Sequence, residues 1–173
     1  MSVASFGSRV ARALVLSVAL LLGPATAAIA GCTDAAAPGV NWRRCLLDER
    51  PLSRIDLTGA QLREVSLTRA VLDGAIFTGA EAYGAKFTNA SLKNAKLDSA
   101  RLGNSDFTDA DLTGADLSKS DLRNARFVGA KLRGATLTGA ELRGTVFRGA
   151  DLSGATWTDG TKICAEGSIG LCE

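Results

Sequence analysis

The sequence predicts an all-β solenoid, and three observations carry that prediction. A five-residue period runs from Asp56 to Thr158, a small residue stands two positions before each large apolar one, and Gly or Asn often stands two positions after it. The run Ala110-Asp111-Leu112-Thr113-Gly114 shows the unit. Its large apolar residue recurs at 57, 62, 67 and onward to 157, giving 21 positions in register, of which 14 are Leu and five are Phe. Ala82 and Trp157 are the departures. The small position is Ala in 16 of the 21 units, the others being Ile55, Val65, Ser105, Ser120 and Thr145.

The period excludes the common alternatives. A helix advances about 100° per residue, so a step of five would scatter the Leu set around the axis and leave no face to bury. In one long strand an odd period would send successive Leu residues to opposite faces. Eleven of the 21 positions two after the large apolar residue are Gly, and Asn holds 89, 94, 104 and 124. These residues take positive φ at low cost, which predicts a corner there. Each unit then reads as a short wall with Leu and Ala pointing inward, followed by a turn. Walls and corners repeated in one sense make a coil, and coils stack.

Runs such as Ala110-Asp111-Leu112-Thr113-Gly114 and Ala150-Asp151-Leu152-Ser153-Gly154 resemble the pentapeptide-repeat proteins, whose unit is A(D/N)LXX. The resemblance implies a right-handed quadrilateral β-helix with four units per coil, the Leu or Phe and the small residue inside and the other three side chains outside. By that arithmetic the solenoid spans 52–158 in about five coils, roughly 25 Å long at a coil spacing of about 4.8 Å. Residues 20 apart become neighbours. Phe87, Phe107, Phe127 and Phe147 share one register and are expected to form an internal aromatic column that serves packing rather than ligand binding.

Residues 1–30 lie apart from the repeat. Arg9 and Arg12 precede the apolar run from Ala13 to Leu22, and small residues follow, which is the pattern of a secretory signal peptide with cleavage after Ala27 or Ala30. The run is shorter than the roughly 20 residues a membrane span needs, so no span is expected in the mature chain. Ile29-Ala30-Gly31-Cys32 also resembles a lipobox, which would anchor a lipidated Cys32 at a surface. Cysteine usage points the other way. The four Cys lie outside the repeat, two at each end, and an exported chain with an even count tends to pair them. Local disulfides Cys32–Cys45 and Cys164–Cys172 are expected because the rod separates its ends. The N-terminal segment 31–51 and the tail 159–173 would cap the solenoid. Their PGVxWxxC and WxDGxxCAxGSxGxC patterns are similar to flanks of exported bacterial pentapeptide-repeat proteins of unassigned role. The expected location is periplasmic or extracellular. Uncapped ends invite end-to-end association, which leaves a homodimer through a solenoid end open.

Little in the chain suggests chemistry. It has no His, and its one Tyr is Tyr83, so a His-based nucleophilic relay is out of reach. Asp106, Asp109, Asp111, Asp116 and Asp121 cluster in sequence, but most precede a Leu and successive units face different sides. A solvated surface is expected there rather than a catalytic pair, with no cofactor and no metal. Some pentapeptide-repeat relatives mimic B-form DNA in width and negative charge and bind DNA gyrase. A mimic needs a continuous acidic face, whereas residues 31–173 hold 18 acidic and 18 basic residues. Signs alternate up the 20-residue register in Lys86, Asp106 and Arg126 and in Asp111, Lys131 and Asp151, while Arg63, Arg123 and Arg143 share a face with Glu81, Arg101, Asp121 and Glu141. Direct nucleic-acid binding is not expected for want of a basic stripe with interleaved aromatics. A Thr ladder, Thr58, Thr78, Thr138 and Thr158 with Ser118, could meet ice or carbohydrate but is interrupted by Asp98. The expectation is a non-enzymatic scaffold for an unknown protein partner or a structural role in the envelope.

Overall fold

The computed structural model describes residues 31–173, so the export segment expected over 1–30, with its cleavage sites, lies outside the described residues. Every wall contributes one bridging residue, the slot just before the core residue, and each slot pairs in parallel with the slot 20 residues on. Four such columns exist, five residues apart, so the coil has four sides. Side 1 stacks Asn41, Gln61, Glu81, Arg101, Asp121 and Glu141; side 2 runs from Leu46 to Val146, side 3 from Pro51 to Asp151, and side 4 from Asp56 to Thr156.

Five backbone N–H groups per unit explain the unit. The core residue donates to the next coil (Leu57 N to Ile76 O, 2.7 Å), as does the corner residue two positions later (Gly59 N to Thr78 O, 3.0 Å). The slot donates to the preceding coil (Gln61 N to Val40 O, 2.8 Å), and the small residue closes the corner (Ala60 N to Leu57 O, 3.0 Å). The fifth N–H, on the shoulder residue after the core position, points sideways out of the ladder. An Asp in the slot takes it: Asp56 accepts from Thr58 N at 2.9 Å, and Asp106, Asp111, Asp116, Asp121 and Asp151 do the same for their own shoulders. Where the slot is Ser66 or Ser91, Asp48 or Asp73 on the coil before supplies the acceptor instead.

The corners turn where the period puts them, whatever residue stands there. Glu64, Arg69, Ser99, Asp109 and Lys119 hold φ between 56° and 58°, like the Gly and Asn corners. An L-residue pays about 1–2 kcal/mol for that conformation, and the two inter-coil hydrogen bonds flanking each corner outweigh it. The same left-handed values at Arg44, Glu49 and Arg54 carry the coil toward the N-terminus. Each bridge column holds six residues, against about five coils expected from 52–158, and pairing already runs through 41–51, the segment the sequence assigned to a cap. That first coil lacks the repeat's signals, having Val40, Cys45 and Arg50 at small positions and no Gly or Asn at its corners beyond Gly39, yet Trp42, Leu47 and Leu52 fill its core slots.

Inside, the core Leu and Phe residues between 57 and 137 are shielded from solvent. The Phe87, Phe107, Phe127 and Phe147 rings stack in parallel with centroids 4.7, 4.7 and 5.2 Å apart. Phe77 meets Phe87 edge-on at 5.9 Å, beside Ala82, the one unit whose core residue is small. The non-Ala small positions are satisfied too: the Ser105, Ser120 and Thr145 hydroxyls donate to the carbonyls of Ala82, Leu117 and Leu122. Among the described residues no buried side-chain polar atom lacks a partner, and no helix is long and apolar enough to cross a membrane.

The two ends are closed differently. At the first coil Cys32 is joined to Cys45, and the Trp42 indole N–H donates to Asp34 O. At the last coil the tail doubles back antiparallel, Ile163 against Thr156 and Ile169 against Asp151, with Cys164 joined to Cys172. It accepts the N–H groups of Leu152, Gly154 and Trp157 on sides 3 and 4. On sides 1 and 2 the N–H groups of Leu142, Gly144 and Phe147 find no backbone acceptor among the described residues.

Candidate binding surface

With the interior filled by side chains, any recognition falls to the outer sides, and these are built from slots, shoulders and corners. The acidic residues that cluster in sequence are mostly structural. Asp56 lies below the usual carboxylate range because the Thr58 hydroxyl and N–H both donate to it. Burial pulls the Asp111 carboxyl up, yet Thr113 hydrogen bonds and nearby Lys93 and Lys131 bring it below its ordinary value. Asp121 and Asp151 are lowered chiefly by side-chain hydrogen bonds from Arg123 and Ser153 respectively. A carboxylate held ionised by its own neighbours is poorly suited to trading protons. Among the described residues no group of three His, Cys, Asp or Glu stands where it could hold a metal ion.

The charges expected to alternate up the columns do lie on paired slots, and ion pairs run both straight, as Arg101 to Glu81 at 3.2 Å and Arg44 to Glu64 at 2.8 Å, and diagonally. On side 3 the Lys93 ammonium is 3.6 Å from Asp111, and Arg133 reaches Asp151 at 3.1 Å and Glu166 of the tail at 2.7 Å. These shoulder side chains on side 3 lean toward the next coil's slot. On side 4 the Thr ladder is divided, since Thr58 is tied to Asp56 and Thr78 to Asp98.

Side 1 is different. Its shoulders read Arg43, Arg63, Tyr83, Gly103, Arg123 and Arg143 from the first coil to the last. Arg follows Arg in the 20-residue register at both ends of that column, the like-charge placement cross-strand pairing disfavours. Arg123 is compensated by Asp121 at 2.6 Å and Glu141 at 3.4 Å. Arg43, Arg63 and Arg143 form no ion pair among the described residues. Between the two Arg pairs the Tyr83 ring, 46% exposed as a residue, lies along the surface over Gly103. The Arg63 guanidinium sits 5.5 Å from its centroid, and Asn104 Nδ2 donates to its hydroxyl. The column is a run of four Arg around a single Tyr, bordered by the acidic slots Glu81, Asp121 and Glu141, and the sequence reading did not single it out. The signal was legible at a spacing of 20, but reading the whole face together mixed these shoulders with the acidic slots beside them.

Family profiles describe the same unit: a pentapeptide repeat region matches residues 81–157, and pentapeptide repeats in eight copies match 55–94. The chain belongs to the pentapeptide-repeat family. Among solved pentapeptide-repeat structures it is similar to HetL, a protein involved in heterocyst differentiation regulation from the cyanobacterium Nostoc sp. strain PCC 7120, with 31% identity, 70% of this chain and 67% of that chain covered, and a TM-score of 0.49. It is also similar to a pentapeptide-repeat protein of the Arabidopsis thaliana thylakoid lumen at 28% identity, covering 75% and 84% of the two chains with a TM-score of 0.35. QnrB1, a plasmid-mediated fluoroquinolone resistance protein, matches at 15% identity over 66% and 68% with a TM-score of 0.33. No curated protein matches the chain. In this pentapeptide-repeat chain, the Asp of A(D/N)LXX is the acceptor for the shoulder N–H.

Proposed function

We infer that the chain is an exported, non-catalytic scaffold that meets its partner with the outer sides of the rod in an oxidising compartment. One observation carries this reading: each end of the coil is tied by its own cystine, Cys32–Cys45 and Cys164–Cys172. Paired cysteines persist outside the reducing cytosol. The pattern of residues 1–30 supports export, and the engagement of Cys32 by Cys45 supports cleavage ahead of Cys32 over a lipid anchor on it. The locally satisfied carboxylates support a non-enzymatic role. Formal neutrality and sign-mixed sides weigh against a gyrase-directed DNA mimic, and the likeness to QnrB1 bears on fold alone.

The test is expression of the whole chain in a bacterium with an export pathway, followed by fractionation and intact mass with and without reduction. The expected result is an extracytoplasmic protein shortened at Ala27 or Ala30 that gains the mass of four hydrogens on reduction. Cytoplasmic residence with four free thiols would sink the reading, and a diacylglycerol mass on Cys32 would replace it with the lipoprotein. A second copy docking at the open 142–147 edge is the form a homodimer would take, and sedimentation of the oxidised protein tests it.

A further inference from the structure

We propose that side 1 is a binding surface for an anionic polysaccharide of the uronic-acid class, laid along the rod axis across the Arg43, Arg63, Tyr83, Arg123 and Arg143 shoulders. Two independent features carry it. The first is charge without compensation. Elsewhere the shoulders carry mixed polar and charged groups, as in Asp48, Thr68, Thr88 and Thr108 on side 2, whereas four of the six on side 1 are Arg. Like charges side by side cost stability, and among the described residues no ion pair offsets Arg43, Arg63 or Arg143, Arg63 having only the Tyr83 ring beside it. An anionic partner would.

The second feature is Gly103. The other glycines of the repeat, from 59 to 154, sit at corners with positive φ, which their backbone requires; Gly103 is a shoulder and has no such φ. What it provides is room. A Cβ there would come 3.3 Å from Tyr83 Cδ2 and 3.5 Å from Arg123 O. Its absence lets the phenol ring pack over the coil with the Arg63 guanidinium 5.5 Å from its centroid, leaving the residue 46% exposed in the column between Arg63 and Arg123. A half-exposed aromatic ring offers apolar surface to the C–H groups of a pyranose, and guanidinium groups bind carboxylates in a fork.

The neighbouring column decides the class of polymer. Glu81, Asp121 and Glu141 occupy the slots beside these shoulders, with Asn104 and Asn124 at the corners. Carboxylates and amide oxygens accept hydrogen bonds from sugar hydroxyls, donors that a uronate chain carries on every unit and a DNA backbone lacks. A single-stranded nucleic acid would also call for several stacking platforms and a net basic groove; side 1 has one platform. The coil step, 4.7 Å between stacked rings inside, is close to the length of one pyranose unit in an extended chain, so successive sugars would meet successive coils. The surface is present wherever the chain resides, so the proposal stands apart from the inference of export.

Titration calorimetry of the oxidised full-length protein with oligogalacturonate tests it, with a neutral glucan oligomer and a single-stranded DNA of matched charge as comparators. The expected result is saturable binding of the uronate alone, weakened about tenfold by Arg63→Glu, Arg143→Glu or Tyr83→Ala and unchanged by Lys131→Glu on side 3. Gly103→Ala leaves charge untouched and should weaken binding severalfold by lifting the ring. Circular dichroism verifies each fold, and Arg143→Gln replaces any charge reversal that does not fold. Absence of uronate binding, equal or tighter binding of the DNA, or equal loss in Lys131→Glu would overturn the proposal.

Discussion

Sides 1 and 3 share one backbone and one core, and Asp121 on side 1 caps its shoulder as Asp111 does on side 3, yet their shoulder columns differ. On side 3 the slot aspartates Asp111 and Asp151 cap their own shoulders and draw a cation from the coil before, so charge and backbone satisfy one another. On side 1 Arg follows Arg in the register and a tyrosine lies on a glycine. The difference teaches that surface charge does not hold the coil in register. The inward Leu, Phe and Ala columns and the inter-coil hydrogen bonds do that, and the outer shoulders are free to differ from side to side.

The most damaging way to probe this is from inside. Leu112→Asp, beneath side 3, buries a charge where nothing can pair with it and should cost more than about 4 kcal/mol. A circular dichroism melt should show cooperative loss, and Tyr83 fluorescence on side 1 should change with it; survival of side 1 would mean the sides fold separately. Ala82→Leu, beneath side 1, crowds the place where Phe77 and Phe87 meet edge-on and should cost about 1–3 kcal/mol. An unchanged urea midpoint would mean that a void already existed there.

On the surface the two sides should part. Asp111→Ala removes the acceptor for the Thr113 N–H and should cost about 1 kcal/mol, while Arg63→Ser should move stability by less than about 0.5 kcal/mol. Equal losses in paired chemical melts would erase the distinction. Acid gives the mildest effect per group. Asp56, Asp111, Asp121 and Asp151 are lowered below the carboxylate value of 3.8 in the folded state. Their contribution is complete above that value and is lost as pH falls through the lower folded values. The melting temperature should be level from pH 7 to about pH 5 and fall below pH 4, with a shallower fall in Asp111→Asn.

The Leu and Ala interior was legible in the five-residue period, while the 20-residue stacking and the Phe87 to Phe147 column followed from the four units per coil that the family resemblance implies. The first coil was not legible, because Arg44, Glu49 and Arg54 turn its corners without being corner residues by type. What turns them is hydrogen bonding to residues 19 positions ahead, which no local pattern encodes. The role of the slot Asp was equally hidden, since it depends on an N–H that the ladder leaves aside. The side 1 stripe was within reach of the register but was diluted by the carboxylates of the adjoining column.

The stacking of every unit on the unit 20 residues away makes this a chain that counts in twenties. Insertion of one extra five-residue unit at the Gly114 corner would satisfy every local preference, yet it would turn all later coils by a quarter relative to the earlier ones. Arg123 and Arg143 would then leave the side that holds Arg43, Arg63 and Tyr83, and the Phe column would break between Phe107 and Phe127. Only whole coils can be gained or lost while both stripes stay continuous, so the length of such a rod can grow in steps without its surfaces being redrawn.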